Sequence, residues 1–526
     1  MKDIFFYILQ FIDDISNGLY VSKRYHTWTI EYILDHKMVD VDHIPYKYYS
    51  KIKRAKIFNF VNIHQLINCQ EINIRGKHHI YGLDNLKYLK IIKFSNIQPQ
   101  ISYYTLPEQL KELYLNDSYN HHIYILPKKL EIIHLGYLFN KSIECIYSLS
   151  YLRELYFSDS FNLPITYIPT TLEVIVFGAK FNQSIENIQW SSSCLKKLIF
   201  GDMFNQPVEH IYLPLSITYI EFGYNFNQKI RYNFFPDSIH TIIFGILFNQ
   251  SISHIQWPDC IYFIQFKGLF NQIITNLPKV YTLYLSSHFN KDIQYEKWTN
   301  TICTLHLGFK FNWMIPNFTQ IQELILSDEF NQDISNITFP NTLKKLIFGR
   351  NFNQPIHKVQ WPKFLSFLSF GHMFNQSICS INISNIHTLS LGNDYNQSID
   401  SISNISSLKT LKLSTMFNQY IYTLSDNLRY INFGVYFNKP IDHIIFPFHI
   451  ETLKFGIEFN QPITFVQWPR KLKTIYFGWN FNYPFLETHW PDTLEQLIMD
   501  NPSQIRYITK SFTFSLIIAS KKIINK

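Results

Sequence analysis

A Phe-Asn or Tyr-Asn dipeptide begins at Tyr119 and returns at residues 139, 161, 181, 204, 226, 248, 270, 289, 311, 330, 352, 374, 395, 417, 437, 459 and 481, which makes 18 copies at steps of 19 to 23 residues, most often 22. No other feature of the chain limits its fold so strongly. A period in the twenties marks a solenoid whose repeats each contribute one strand, and so short a unit cannot bury its apolar face without a neighbour. A prior of about one domain per ~150 residues would divide 526 residues into three or four domains; the repeat replaces that with an array of turns.

The best copies define the unit. With Phe352 at position zero, Ile356, Val359 and Trp361 fall at +4, +7 and +9, Leu365, Leu368 and Phe370 at +13, +16 and +18, and Gly371 at +19. The copy from Phe459 repeats that frame with Ile463, Val466, Trp468, Leu472, Ile475, Phe477 and Gly478. Positions +16 and +18 alternate as in a strand, so both point to one side. Twelve of the 16 glycines occupy +19, where either a positive φ or a close approach of neighbouring backbones is expected. Proline recurs at +3 and +10, connecting positions where a missing N–H costs no ladder bond. Ile72/Ile74, Ile92/Phe94, Leu113/Leu115 and Leu497/Met499 extend the pattern at both ends. The expected fold is therefore a repeat solenoid, leucine-rich-repeat-like, with a parallel β ladder of about 21 short strands, on the order of 100 Å of sheet at ~4.8 Å per strand.

The phrase Phe-Asn-Gln-Pro-Ile, found at Phe352–Ile356 and Phe459–Ile463, resembles the FNIP repeat, a unit similar to a leucine-rich repeat and best known from amoebae and giant viruses. The resemblance covers roughly residues 105–500 and implies a binding solenoid.

Eighteen copies are more than any one site needs, so the Phe-Asn pair reads as structural. The rings are expected to stack in an internal column, and the Asn amide to bond the backbone of the adjacent turn. The Asn-Gln-Ser sequons at Asn182, Asn249, Asn375 and Asn396 then follow from the repeat, with their Asn turned inward. Composition agrees with a well-packed array: aromatic residues are 17% and hydrophobic residues 46%, too much apolar surface for bulk disorder.

Catalytic signatures are missing from the sequence: no phosphate-binding glycine loop, no metalloprotease His-Glu-x-x-His and no nucleophile elbow. The six cysteines lie far apart without Cys-x-x-Cys spacing, which favours a reducing, intracellular setting; with the resemblance to a repeat of amoebae and giant viruses, the expected location is the (host) cytoplasm. The adjacent pairs His78–His79 and His121–His122 read as loop residues rather than metal ligands. No apolar run approaches the ~20 residues that span a bilayer. A net charge of +8 is mild, and the densest basic cluster, Lys47, Lys51, Lys53, Arg54 and Lys56, reads as a solvated junction before the repeats rather than a nucleic-acid contact.

What remains for function is the outward side of the strand. Positions +15 and +17 flank the buried residues and face solvent along the inner sheet. There the candidate partner-binding residues are Tyr156, Ile199, Tyr219, Ile243, Phe263, Tyr284, Ile325, Ile347, Phe367 and Tyr476. Two explanations stand for them: an interaction surface, or strand propensity alone.

Residues 1–50 lack the repeat and read as a small α-helical N-terminal module, with a stripe through Ile4, Ile8, Leu9, Ile12 and Ile15. The run Ile8-Leu9-Gln10-Phe11-Ile12, followed by Val21-Ser22-Lys23-Arg24-Tyr25 and Trp28, resembles a degenerate F-box, with Met1-Lys2-Asp3 in place of the usual Leu-Pro. That resemblance implies binding to a Skp1-type adaptor through Ile8, Leu9, Ile12, Val21 and Trp28. The other reading is a plain cap over the first apolar rung. The expected organisation is thus 1–50 F-box-like module, 51–104 degenerate first repeats, 105–500 solenoid, and 501–526 C-terminal cap with a basic tail. The expected function is non-enzymatic: substrate recognition for a Skp1/cullin-type ubiquitin ligase, or a binding scaffold with no ubiquitin link. In either case the partners are proteins, with no cofactor, metal, nucleic acid or membrane.

Overall fold

The structure, a computed structural model, describes residues 38–41, 46–57, 65–75, 82–95, 106–190, 193–379, 381, 383–484, 488–501 and 515–518. It divides into two compact units, Met1–Gln250 and Ser251–Lys526. In the first unit the strands are β1 (Val39–Asp40), β2 (Arg54–Ile57), β3 (Glu71–Ile74), β4 (Ile91–Phe94), β5 (Glu112–Tyr114), β6 (Ile132–His134), β7 (Glu154–Tyr156), β8 (Val174–Val176), β9 (Lys197–Ile199), β10 (Tyr219–Glu221) and β11 (Thr241–Phe244). In the second they are β12 (Cys260–Phe266), β13 (Lys279–Tyr284), β14 (Thr304–His306), β15 (Glu323–Ile325), β16 (Lys345–Ile347), β17 (Phe367–Ser369), β18 (Thr388–Ser390), β19 (Thr410–Lys412), β20 (Tyr430–Asn432), β21 (Thr452–Lys454), β22 (Thr474–Phe477), β23 (Gln496–Met499) and β24 (Ser515–Ile518). Within each unit every strand pairs in parallel with the next in sequence, as in Lys345↔Phe367 and Phe367↔Thr388.

The rungs β3 to β23 are those the repeat predicts. Three further strands were not expected: β1 and β2 precede them, and β24 pairs with β23 inside the segment assigned to a C-terminal cap. Among the described residues there is no α-helix, so the small helical N-terminal module has no support. Where residues 1–50 are described they form β1 and part of a 3₁₀ turn over Tyr46–Lys51. The β-branched Val39 suits a strand better than a helix. Residues 1–37, which carry Ile8, Leu9, Ile12, Val21 and Trp28, lie outside the described residues. The basic cluster is corrected as well: Arg54 and Lys56 belong to β2, and Arg54 lies 3.4 Å from the Glu71 carboxylate on β3.

The turns are closed by a column of zero-position rings and, beside it, a +18 column of phenylalanines interrupted by leucines such as Leu135, Leu307 and Leu413. The zero-position rings from Tyr119 to Phe248 stack in the first unit with centroids 6.0 to 6.5 Å apart. Stacked pairs in the second unit run from Phe270 to Phe481 at 6.0 to 6.4 Å. The +18 rings fill the gap beside them, as Phe370 does against Phe374 at 3.9 Å. Strands in a sheet sit only ~4.8 Å apart. Turns are therefore more widely spaced at the rings than at the strands, and within each unit the sheet lies on the inner side of the curve.

Beside the rings runs an asparagine ladder. The Oδ1 of each motif Asn accepts the backbone N–H of the Asn one turn later, at 2.9 to 3.0 Å through six links in the first unit and 2.9 to 3.2 Å through ten in the second. The following Gln adds a second donor where it is present, as Gln376 Nε2 does to Asn353 Oδ1 at 3.1 Å. These Asn side chains were expected to turn inward. They are instead half-buried or exposed, because the bend puts the ring inside and the amide along its rim.

Close approach explains most of the +19 glycines. A Cβ on Gly371 would stand 1.6 Å from the carbonyl oxygen of Gly349, whereas at Gly434 a φ of 82° adds a conformational reason. Serine replaces glycine at Ser158, Ser286, Ser327 and Ser414, each with its hydroxyl donating to the carbonyl of the ring residue one turn back.

Phe352 is fully buried between Phe330 and Phe374, both 6.1 Å away, so Phe352→Ala should cost about 3–5 kcal/mol in urea unfolding. Asn353→Ala leaves the Asn375 N–H without its acceptor at a half-exposed rim and should cost about 1 kcal/mol. A loss under about 1 kcal/mol for the Phe variant would rule out the ring column as a source of stability.

Candidate functional site

The three-residue strands share one burial pattern: the middle residue is buried and the outer two are partly exposed, as in Phe367-Leu368-Ser369. Within each unit the outer residues make two rows along the inner face of its sheet. Tyr156, Ile199 and Ile243 stand on one row of the first unit, and Tyr219 on the other. In the second unit Tyr284, Ile325, Ile347 and Tyr476 share a row, and Phe263 and Phe367 the other. All ten are half-buried, with flanks packed against neighbouring rungs and edges open to solvent.

Some of these residues meet. Phe263 packs edge-on to Tyr284 at 5.1 Å, and Tyr284 stacks on His306 at 3.9 Å. Ile325 and Ile347 are register partners. Others are separated: Val176 stands between Tyr156 and Ile199. Charged groups interleave with the rings in a regular way. Lys93 lies 5.0 Å over Tyr114, Lys197 5.0 Å over Tyr219, Lys345 5.8 Å over Phe367 and Lys454 5.5 Å over Tyr476. In each pair the lysine and the ring occupy the same row on consecutive strands, a spacing suited to cation–π attraction. Ion pairs add to this, with Glu323 bonded to Lys345 at 2.9 Å and 3.4 Å from His306.

One concavity was not among the residues singled out from sequence. Tyr114, His134 and Tyr156, from β5, β6 and β7, form a three-ring stack with centroids 4.4 and 3.9 Å apart. They line a pocket of about 350 Å³ together with Asp117, Tyr137 and Asp159 from the turns that follow those strands. The row that includes Tyr156 contains His134 and Tyr114 one and two rungs earlier, so carrying the +17 position back past residue 156 would have found them. The pocket also needs the +20 residues Asp117, Tyr137 and Asp159, and nothing in the repeat marks those.

Electrostatics there are negative. Tyr114 and Tyr156 donate their hydroxyls to Glu112 at 2.9 Å and Glu154 at 2.8 Å. Burial, then the bonded carboxylate, raises both phenols, Tyr156 to about 12. Burial between the two phenol rings lowers the His134 pKa, against the pull of Glu154, so the imidazole is neutral at neutral pH. Among the described residues no three His, Cys, Asp or Glu are grouped to hold a metal ion. None of the described helices is long and apolar enough to cross a membrane. What the face presents is aromatic, aliphatic and charged contact surface.

A family model described as FNIP Repeat matches residues 98–138, 181–225, 226–269, 314–351, 417–457 and 459–501. Among solved structures, CroV588, described as a novel circular LRR protein, is 30% identical with a TM-score of 0.72, over 88% of this chain and 78% of that one. TLR13 in its complex with ssRNA13 is 13% identical with a TM-score of 0.40, over 90% of this chain and 78% of that one. YopM from Yersinia enterocolitica WA-314 is 14% identical with a TM-score of 0.36, over 86% of this chain and 87% of that one. No curated protein matches the chain.

The His134 shift gives a direct check. A histidine whose folded pKa lies below its ordinary 6.5 binds protons better when unfolded, so folding stability falls as the pH drops through that value. In an NMR titration the His134 ring should protonate at lower pH than in the denatured chain. His134→Gln should lose less stability than wild type on mild acidification; equal losses would contradict the placement of His134 between the rings.

Proposed function

We propose that this chain, six segments of which match the FNIP repeat, is a non-enzymatic binding protein that holds a protein partner against the inner face of its sheet. A leucine-rich-repeat-like solenoid is an architecture suited to protein–protein interaction, because stacked turns offer one long surface without requiring a central cavity. The observation that carries the reading is the pair of outward rows. They bring half-exposed aromatic and aliphatic side chains such as Tyr156, Ile325, Ile347 and Tyr476 to the surface among charged and threonine positions, an apolar contact area of the kind a partner covers. Tyr156, Ile199, Tyr219, Ile243, Phe263, Tyr284, Ile325, Ile347, Phe367 and Tyr476 are the proposed contact residues.

The second part of the proposal concerns the N-terminal segment. Its resemblance to a degenerate F-box supports docking to a Skp1-type adaptor through Ile8, Leu9, Ile12, Val21 and Trp28, which would make the chain a substrate-recognition subunit of a ubiquitin ligase. The alternative is a binding scaffold without that link. Removing residues 1–50 would also remove β1, so point substitutions are the better probe.

Two variants separate the parts. Leu9→Asp with Ile12→Asp should abolish co-purification of a Skp1-type adaptor and leave partner binding by the sheet unchanged, because burying an unpaired charge costs several kcal/mol at the adaptor surface alone. Ile325→Glu with Ile347→Glu should do the reverse. If wild type never co-purifies with such an adaptor, the scaffold reading stands. If a partner's binding ignores the Ile325/Ile347 change and every other inner-face substitution, the binding-face proposal fails.

A further inference from the structure

We propose that the pocket over the ends of β5, β6 and β7 is a specificity site for an arginine side chain of the protein partner. The inference rests on the reading that the inner face binds a protein, and it adds the chemistry by which one place on that face selects its ligand. Four features point the same way.

First, the pocket is an open depression of about 350 Å³, large enough for a guanidinium and part of its stem. Second, its charge opposes that of the chain. Asp117 and Asp159 stand at the rim, Glu112 and Glu154 lie behind the tyrosine hydroxyls, and no lysine or arginine is among the lining residues, although the protein as a whole carries +8. Such local complementarity attracts a cation and rejects an anion.

Third, the aromatic stack is capped at one end only. Lys93 covers Tyr114 and is tied to Glu71 at 2.8 Å, while the rung beyond Tyr156 offers Val176. Elsewhere on this face the chain supplies its own lysine to a ring on the next strand. Among the described residues no lysine or arginine sits over Tyr137 or Tyr156, so at this pocket the cation is left to a partner.

Fourth, the geometry favours arginine over lysine. Asp117 and Asp159 belong to turns two rungs apart, roughly 10 Å at strand spacing, with Tyr137 on the rung between. A planar guanidinium can lie against that ring while its fork of N–H donors reaches toward both carboxylates; an ammonium reaches one. The Asp159 Oδ1 accepts the Ala179 N–H at 3.2 Å, which orients the carboxylate and leaves Oδ2 for a ligand. His134 beneath the site is neutral and does not repel the cation.

The test uses the full chain and defined small probes. N-acetyl-L-arginine amide is titrated while the His134 ring resonances, assigned by their loss in His134→Gln, are followed by NMR. N-acetyl-L-citrulline amide, equal in shape but uncharged, is the control. The arginine derivative should give a saturable shift with a Kd on the order of 1 mM, about tenfold tighter than citrulline. Added salt should weaken it. Asp117→Asn with Asp159→Asn should weaken arginine binding about tenfold while leaving citrulline unchanged. Asn at 159 keeps an acceptor for Ala179, and Asp117 is exposed, so the fold is preserved; circular dichroism confirms this, and Asp117→Asn alone gives a milder second variant. Absence of a saturable shift, equal binding of citrulline, or full binding by the double variant would each overturn the proposal. Partner capture that depends on Ile325 and Ile347 would survive that failure, so the two readings fall separately.

Discussion

The bond from one asparagine carboxamide to the backbone N–H of the asparagine one turn later is the contact on which the rest of the structure depends. At the bend where each turn leaves the strand, the backbone needs acceptors that the sheet ladder does not provide. An acceptor of fixed length, borne by the preceding turn at the same position, satisfies that need and sets the turn-to-turn offset. Once the offset is fixed, the zero-position rings fall into register 6.0 to 6.5 Å apart in the first unit, and the +18 rings enter between them. The +19 backbone is drawn so near its neighbour that a Cβ is excluded at Gly371. Phe, Asn and Gly in each repeat are three consequences of one spacing.

Legibility followed the same logic. Positions fixed by stacking repeat in the sequence, and from them the strands β3 to β23, the inward +16 and +18 residues and the ring column could be read directly. The strands β1, β2 and β24 could not, because they stand outside the periodic array that starts at Tyr119, and only short runs such as Arg54-Ala55-Lys56-Ile57 mark them. The direction of the Asn side chain was misjudged for a physical reason: a polar group that recurs in every turn suggests burial, yet a bond along the stack is equally well made at the rim. The pocket was missed because its residues come from two rows, +17 and +20, and their joint concavity arises from curvature that no single repeat encodes.

Function is confined to what stacking leaves free. Zero, +1, +4, +16, +18 and +19 are committed to the columns, and a change there alters the turn and both neighbours. The outer strand positions and the residues just after the strand tolerate Tyr, Ile, Lys, Glu, Ser and His at different rungs without disturbing the register. Recognition by such a protein is accordingly a sum over rungs, each adding one or two side chains at a fixed pitch.

This arrangement also explains why lysines lie over rings on the sheet. A flat aromatic row on an exposed face invites self-association. A lysine on the preceding strand covers a ring face with its stem and keeps a charge in water, so Lys197, Lys345 and Lys454 protect Tyr219, Phe367 and Tyr476 without closing the surface to a partner. Where that cover is absent and carboxylates stand in its place, as around Tyr137 and Tyr156, the same spacing becomes a receptor for a cation from outside. Protection and recognition on this face are thus one interaction, distinguished only by which chain contributes the positive charge.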